Sequence, residues 1–180
     1  MSGRKLRLAT VWLDGCSGCH MSFLDLDERL IELAQKVAYV YGPLADASEF
    51  PENVDITLVE GGLGSEEDLE LLRKVRQRSR ILVALGQCAL KAHISSIRNR
   101  FPINEFMERI YPPRPTGDDR QWPDDGVPPL LPRARPLHEV VPVDVSVPGC
   151  PPSADAIHFV LKELLEGRIP DTKTILRMNR

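Results

Sequence analysis

Apolar positions in this chain fall into short unbroken runs, and longer segments with helical spacing lie between them. Leu6 to Leu13 is a compact apolar run closed by the turn pair Asp14-Gly15, which predicts a first strand. From about Met21 to Gln35, the residues Phe23, Leu24, Leu26, Leu30, Ile31 and Ala34 recur near helical spacing and predict one helix. Val37 to Tyr41 predicts a short strand stopped by Gly42-Pro43, and Val54 to Val59 a β-branched strand closed by Glu60-Gly61-Gly62. Ser65, with Asp68 three residues on, predicts an N-terminal cap for a helix reaching Arg78. Ile81 to Leu85 reads as a fourth strand ending at Gly86, with a helical segment from about Ala89 to Asn99. Val143 to Val147 reads as a fifth strand ending at Pro148-Gly149. Pro152 then stands where the first turn of a helix tolerates proline, and that helix runs to about Glu166.

Strands alternating with helices imply a parallel sheet covered on both faces. The expected fold is therefore α/β, a flavodoxin-like doubly wound parallel sheet with strand order 2-1-3-4-5. The expected organisation is one domain over residues 1–180. The segment 111–136 breaks the rhythm, with eight prolines and no periodicity. A structureless stretch of that length inside a domain is usually functional or disordered. Trp122, Leu130 and Leu131 give it apolar anchors, so the expectation is a loop that wraps a partner. The basic tail (Arg168, Lys173, Arg177, Arg180) is read as a further contact or a solvated end.

Composition narrows the class without changing it. At 180 residues, 27% charged, 42% hydrophobic and net charge −3, the chain has the profile of an ordinary globular protein and not a disordered one. No basic stripe interleaved with aromatics supports nucleic-acid binding. No apolar run approaches the ~20 residues that span a bilayer. Met1 to Arg7 is basic but leads straight into the first strand without a small-residue cleavage site, so the expected location is the cytoplasm. Four cysteines in a reducing compartment read as metal ligands or redox groups, not structural disulfides.

Where those cysteines fall gives them meaning. Cys16 and Cys19 follow the first predicted strand, Cys88 the fourth and Cys150 the fifth. Open α/β sheets bind ligands beyond the carboxyl ends of their strands, so the four thiols are expected at one edge. Four thiolates suit an Fe–S cluster or zinc. Zinc sites of this type usually come as two close pairs on small knuckles. One C-x-x-C pair plus two solitary cysteines points instead to a cofactor gathered by a preformed sheet, an Fe–S cluster. Zinc and a thioredoxin-like redox pair are the alternatives, and the second leaves Cys88 and Cys150 unexplained. Gly15, Gly18, Gly86 and Gly149 allow close backbone approach to such a centre, and Ser17 lies between the paired cysteines. Pro151 after Cys150 repeats the Cys-Pro ending common in iron–sulfur runs.

Four stretches carry a resemblance: Trp12-Leu13-Asp14-Gly15-Cys16-Ser17-Gly18-Cys19, Val59-Glu60-Gly61-Gly62, Gly86-Gln87-Cys88-Ala89 and Pro148-Gly149-Cys150-Pro151-Pro152. Together they resemble the small subunit of [NiFe] hydrogenases, and most of all the compact single-cluster form in cytoplasmic NAD-reducing (bidirectional) enzymes. The resemblance implies that Cys16, Cys19, Cys88 and Cys150 hold the proximal [4Fe–4S] cluster. It also implies partners: a large subunit carrying the Ni–Fe site, and diaphorase subunits carrying FMN and further Fe–S clusters that reduce NAD. No catalytic residue is then expected on this chain. A homologous subunit of complex I, in a quinone-reducing module, is the competing relative. It resembles a version with adjacent cysteines at the first ligand position, whereas this chain has Cys16-Ser17-Gly18-Cys19. Many small subunits carry a glutamate two residues after the second cysteine where this chain has Met21, which puts a proton role there in doubt.

Other residues admit more than one reading. Glu60 ends the third strand at the expected cluster edge, where it relays protons or caps a following turn. His20 donates to a cluster sulfur, caps, or faces solvent. Trp12 is read as core or interface packing. His93, His138 and His158 show no metal-site spacing. The flavodoxin-like fold raises FMN as a second cofactor, since some NAD-reducing relatives are thought to hold one on this subunit. Against it, Asp14 would repel phosphate in the loop that flavodoxins use to bind it.

Overall fold

The computed structural model describes residues 4–112, 122 and 125–179. In chain order the elements begin with β1 (Leu6–Trp12), α1 (Gly18–Leu24), α2 (Arg29–Lys36), β2 (Val37–Tyr41), β3 (Val54–Glu60) and β4 (Leu63–Ser65). They continue with α3 (Glu66–Arg78), β5 (Ser79–Leu85), α4 (Gly86–Lys91), a 3₁₀ turn at Ser95–Arg100 and α5 (Ile103–Ile110). The last are β6 (Leu130–Arg135), a 3₁₀ turn at Leu137–Glu139, β7 (Val145–Val147), α6 (Ala154–Leu165) and α7 (Thr172–Met178). Among the described residues no helix is long and apolar enough to cross a membrane.

Five strands form one parallel sheet in the order β2-β1-β3-β5-β7. Numbered within that sheet, this is the expected 2-1-3-4-5. All seven residues of β3 are buried, as a central parallel strand with both faces covered requires. The strand residues divide by side. Leu8, Ile56, Leu58, Val83 and Leu85 pack with Phe23, Leu33, Ile157 and Leu161 of α1, α2 and α6. Ala9, Val11, Val59, Leu82 and Ala84 pack with Leu72, Val75 and Ala89 of α3 and α4. The period-2 alternation of β structure thus feeds two cores. Polar residues inside the sheet find partners: Thr57 Oγ1 and Ser79 Oγ lie 2.6 Å apart, and Asp55 accepts from the Arg7 N–H at 2.8 Å and from Arg4.

The predicted cap at Ser65 is present as a reciprocal capping box with Asp68, with Glu66 and Glu67 also in the first turn of α3. Elsewhere the structure redraws the expected elements. The single helix over Met21–Gln35 is two, because Asp27 adopts a left-handed conformation (φ 48°) and the turn lets Leu26 drop into the core. The expected helix over Ala89–Asn99 stops at Lys91. Ala92 there is left-handed (φ 52°) and is packed so closely on Gly62 that a Cβ at Gly62 would come within 3.3 Å of the Ala92 methyl. The helix after Cys150 starts at Ala154, with Ser153 as its cap, so Pro152 precedes the helix and does not open it.

The Pro-rich segment also differs from expectation. Positions 113–121 and 123–124 lie outside the described residues, and Trp122 is half-buried. Its C-terminal part is not a loop: Leu130–Arg135 is β6, antiparallel to β4, with Leu131 buried in this chain's own core and Leu130 exposed. Pro132 is tolerated because β6 pairs on one side alone. The tail is ordered into α7, which buries Ile175. Just beyond it Asn179 accepts from Ser153 N–H at 2.7 Å and donates to Pro148 O at 2.7 Å, bracing the segment around Cys150.

Asn179→Ala removes both bonds. At ~1 kcal/mol each, the expected loss is about 2 kcal/mol, or roughly 2–4 °C of Tm per kcal/mol in a chain this size. Arg177→Ala, at an exposed site on the same helix, stays within about 0.5 kcal/mol. Thermal unfolding followed by circular dichroism checks this, and equal Tm values for the two variants would refute the brace.

Candidate metal centre

The carboxyl ends of β1, β5 and β7 deliver the four thiols to one edge, and hydrogen bonds between the loops hold them there. After β1 the chain runs antiparallel to the residues following β3: Leu13 N–H donates to Glu60 O at 2.9 Å, and Asp14 and Gly62 exchange bonds at 3.1 and 2.9 Å. The Trp12 indole N–H donates to Gly15 O at 3.0 Å. Trp12 itself is 48% exposed, so it is not core packing; it covers the start of the cysteine loop. Ser17, left-handed at φ 65°, precedes α1 without capping it through its side chain.

The cap of α1 comes from the central strand instead. Glu60, 1% exposed, turns its carboxylate to the first turn of α1. Oε2 accepts from His20 N–H at 2.9 Å and Oε1 takes a longer bond of 3.4 Å from Cys19 N–H. The His20 ring adds a third contact, Nδ1 to Oε2 at 2.5 Å. A buried carboxylate demands such partners, and a helix N-terminus supplies both donors and a favourable dipole. Glu60 does cap, but it caps α1 and not the turn after it. With Nδ1 engaged by Glu60 and Nε2 buried without a partner, no contact ties His20 to a sulfur among the described residues.

The other two loops are tied in the same way. Gln87 N–H, at the start of α4, donates to Gly149 O at 2.9 Å, linking the Cys88 and Cys150 segments. Ser22 Oγ of α1 donates to Pro152 O at 2.5 Å, linking the first loop to the third. Gly86 is left-handed (φ +82°), and a Cβ there would lie 2.3 Å from Cys19 Sγ, so glycine is what leaves room for the thiol. A Cβ at Gly18 would meet Cys16 Sγ at 3.3 Å and Pro151 at 3.9 Å. Gly149 is likewise left-handed, and a side chain there would collide with Pro152.

Cys19 and Cys88 are buried, whereas Cys16 and Cys150 are exposed. Burial pushes the Cys19 thiol strongly up; Glu60 adds to this, followed by Cys88, Cys16 and Cys150. Burial raises Cys88 as well, the backbone N–H of Ile94 opposes it, and Cys16, Cys150 and Glu60 add further upward pressure. Four thiolates beside a buried carboxylate repel one another unless a cationic centre lies among them. Among the described residues no three His, Cys, Asp or Glu side chains converge tightly enough to grip a single metal ion.

The cradle fits phosphate less well. In a flavodoxin-like fold the anion site is the helix N-terminus after the first strand. Here Glu60 already occupies those N–H groups. An apolar cavity of about 600 Å³ lies alongside, lined by Trp12, Phe23, Leu33, Tyr39 and Leu44 among others, and among the described residues no Lys or Arg lines it to receive a phosphate.

Sequence reasoning missed three residues at this site: Ser22, Asn179 and His93. The last places Nδ1 3.9 Å from Cys150 Sγ. Nothing in its spacing announces this, since the left-handed Ala92 is what turns it toward Cys150.

Comparison with known proteins gives the family. Residues 16–164 match the family model described as NADH ubiquinone oxidoreductase, 20 Kd subunit. The chain is 35% identical over 170 residues to a subunit of the F420-non-reducing hydrogenase (vhu) of Methanocaldococcus jannaschii, covering 94% of this chain and 59% of that protein. It therefore spans little more than half the length of that relative. It is 39% identical over 168 residues to the delta subunit of the NAD-reducing hydrogenase HoxS of Cupriavidus necator, covering 91% of this chain and 80% of that one. Among solved structures it is similar to a chain of an NAD⁺-reducing [NiFe]-hydrogenase in the H₂-reduced state, with a TM-score of 0.87 and 42% identity over 93% of this chain and 95% of that chain. The chain therefore belongs to the family of the NADH ubiquinone oxidoreductase 20 Kd subunit, together with the small subunits of NAD-reducing [NiFe] hydrogenases.

Proposed function

We propose that this chain is the electron-relay subunit of a cytoplasmic NAD-reducing [NiFe] hydrogenase. It holds one [4Fe–4S] cluster through Cys16, Cys19, Cys88 and Cys150 and links the Ni–Fe site of a large subunit to a diaphorase module. The observation that carries this is the convergence of four thiols on the carboxyl edge of the sheet, in loops already hydrogen-bonded to one another. Bound there, a [4Fe–4S] cluster supplies one-electron transfer.

The chain's own residues prepare the site. Gly86 keeps space open for Cys19 Sγ, Gly18 does the same beside Cys16, and Glu60 fixes the helix that carries Cys19. Between the two roles expected of Glu60, its full set of contacts supports positioning over proton relay. Cys16 and Cys150 are exposed, and Trp12 and Ile94, close to the cysteine loops in sequence, are exposed apolar residues, which suits a centre that hands electrons to a covering subunit. The same cradle argues against FMN here, since Glu60 blocks the helix N-terminus and the neighbouring cavity lacks a cation.

The family description favours one further reading, a quinone-reducing assembly of the complex I type. Nickel in the co-purified partner would exclude it. The direct test is iron and acid-labile sulfide analysis of the full chain, with low-temperature EPR after reduction. About four irons and four sulfides per chain are expected for one [4Fe–4S] centre, and one zinc with no sulfide would sink the proposal. Cys150→Ser in the assembled complex should weaken the cluster and abolish H₂-driven NAD reduction, while H/D exchange at the partner's site partly survives. Gly86→Ala should lower bound iron several-fold with the far-UV spectrum unchanged, because its methyl takes the place of Cys19 Sγ. Full iron in that variant would show that the loop yields.

A further inference from the structure

The segment that follows α4 reaches over the cysteine site at three points. Ala92 turns left-handed (φ 52°), which ends the helix and redirects the chain. The His93 ring then lies with Nδ1 3.9 Å from Cys150 Sγ. The Ile94 backbone N–H faces the Cys88 thiol. Ser95 Oγ donates to Asp14 O at 3.1 Å, fastening the same turn to the loop that carries Cys16. One turn thus contacts all three cysteine-bearing segments, although it contains no ligand itself.

We propose that the turn Ala92–Ser95 sets the reduction potential of the centre, with His93 as a hydrogen-bond donor to the Cys150 sulfur and Ser95 as the tether that holds the turn in place. This rests on the reading of the four cysteines as cluster ligands. Protonated at Nδ1, the imidazole donates to the thiolate. Reduction adds negative charge to the cluster and its sulfurs, so a donor stabilises the reduced state more than the oxidised one and raises the potential. His93 is exposed, so replacing it removes the donor without opening the core.

The experiment is an EPR-monitored redox titration of the assembled complex carrying His93→Leu or His93→Gln, with iron content measured alongside. The leucine variant, without a donor, should titrate lower than wild type, so that the ratio of reduced to oxidised cluster at the wild-type midpoint falls several-fold. The glutamine variant, which retains an N–H donor of similar reach, should recover most of that change. Equal midpoints in the two variants, or an equal fall in both, overturn the proposal. If the leucine variant fails to retain iron, Ser95→Ala replaces it: a lowered midpoint supports the turn's role, and an unchanged one overturns it. A chain devoid of acid-labile sulfide defeats the cluster reading itself, whereas a fully loaded chain indifferent to His93 defeats this inference alone.

Discussion

The Glu60 carboxylate, buried at the end of the central strand, must find donors, and finding them organises the site. A charge left unpaired at that depth would cost several kcal/mol. The first turn of α1 supplies two backbone N–H groups and the His20 ring, so the position of α1 is fixed by the end of β3 as well as by packing. Cys19 sits in that turn. The bond that satisfies Glu60 therefore places the most buried thiol of the set and occupies the helix end that a phosphate would otherwise claim. It also has an electrostatic consequence, since the same carboxylate opposes ionisation of Cys19.

That opposition makes the thiol arrangement conditional. Cys19 and Cys88 are pushed up by burial, and each is pushed further by its neighbours. The fold brings the groups together despite this because the loops are held by bonds that do not involve sulfur: Gln87 to Gly149, Ser22 to Pro152, Ser95 to Asp14 and Asn179 to Pro148. In the proposed assignment, a centre carrying positive metal charge would convert the repulsion into ligation, with protons leaving as it binds. Preformed loops and mutually repelling thiols are complementary on that reading, because the sheet bears the cost of bringing them together before any metal binds.

Much of this was legible in the sequence where local chemistry and tertiary structure agree. The β-branched run ending at Glu60 is a buried central strand, Ser65 and Asp68 form their cap, and the cysteines follow strands that end at one edge. The rest was hidden where tertiary contacts overrule local preference. Leu26 looked like one more apolar position on a helix, yet the chain turns at Asp27 to bury it. Ala92, a strong helix former, is left-handed because Gly62 lets it pack tightly there. Leu130 to Arg135, without clean alternation and interrupted by Pro132, is a strand because the short β4 leaves an edge to pair. His93 and Asn179 act across 57 and 31 residues, to Cys150 and Pro148, and no periodicity reports such distances.

The four thiols divide into a buried pair and an exposed pair. Cys19 and Cys88 meet protein, so their surroundings are set by the fold in any state of assembly. Cys16 and Cys150 are exposed in the isolated chain, where water competes with protein donors for the sulfurs. A subunit that covers this edge removes the water and lowers the local dielectric, which strengthens each hydrogen bond that remains. The His93 contact on Cys150 lies on that outer side. In the proposed assembly its influence on the centre would therefore grow as the complex closes over it, and assembly itself would help to set the potential.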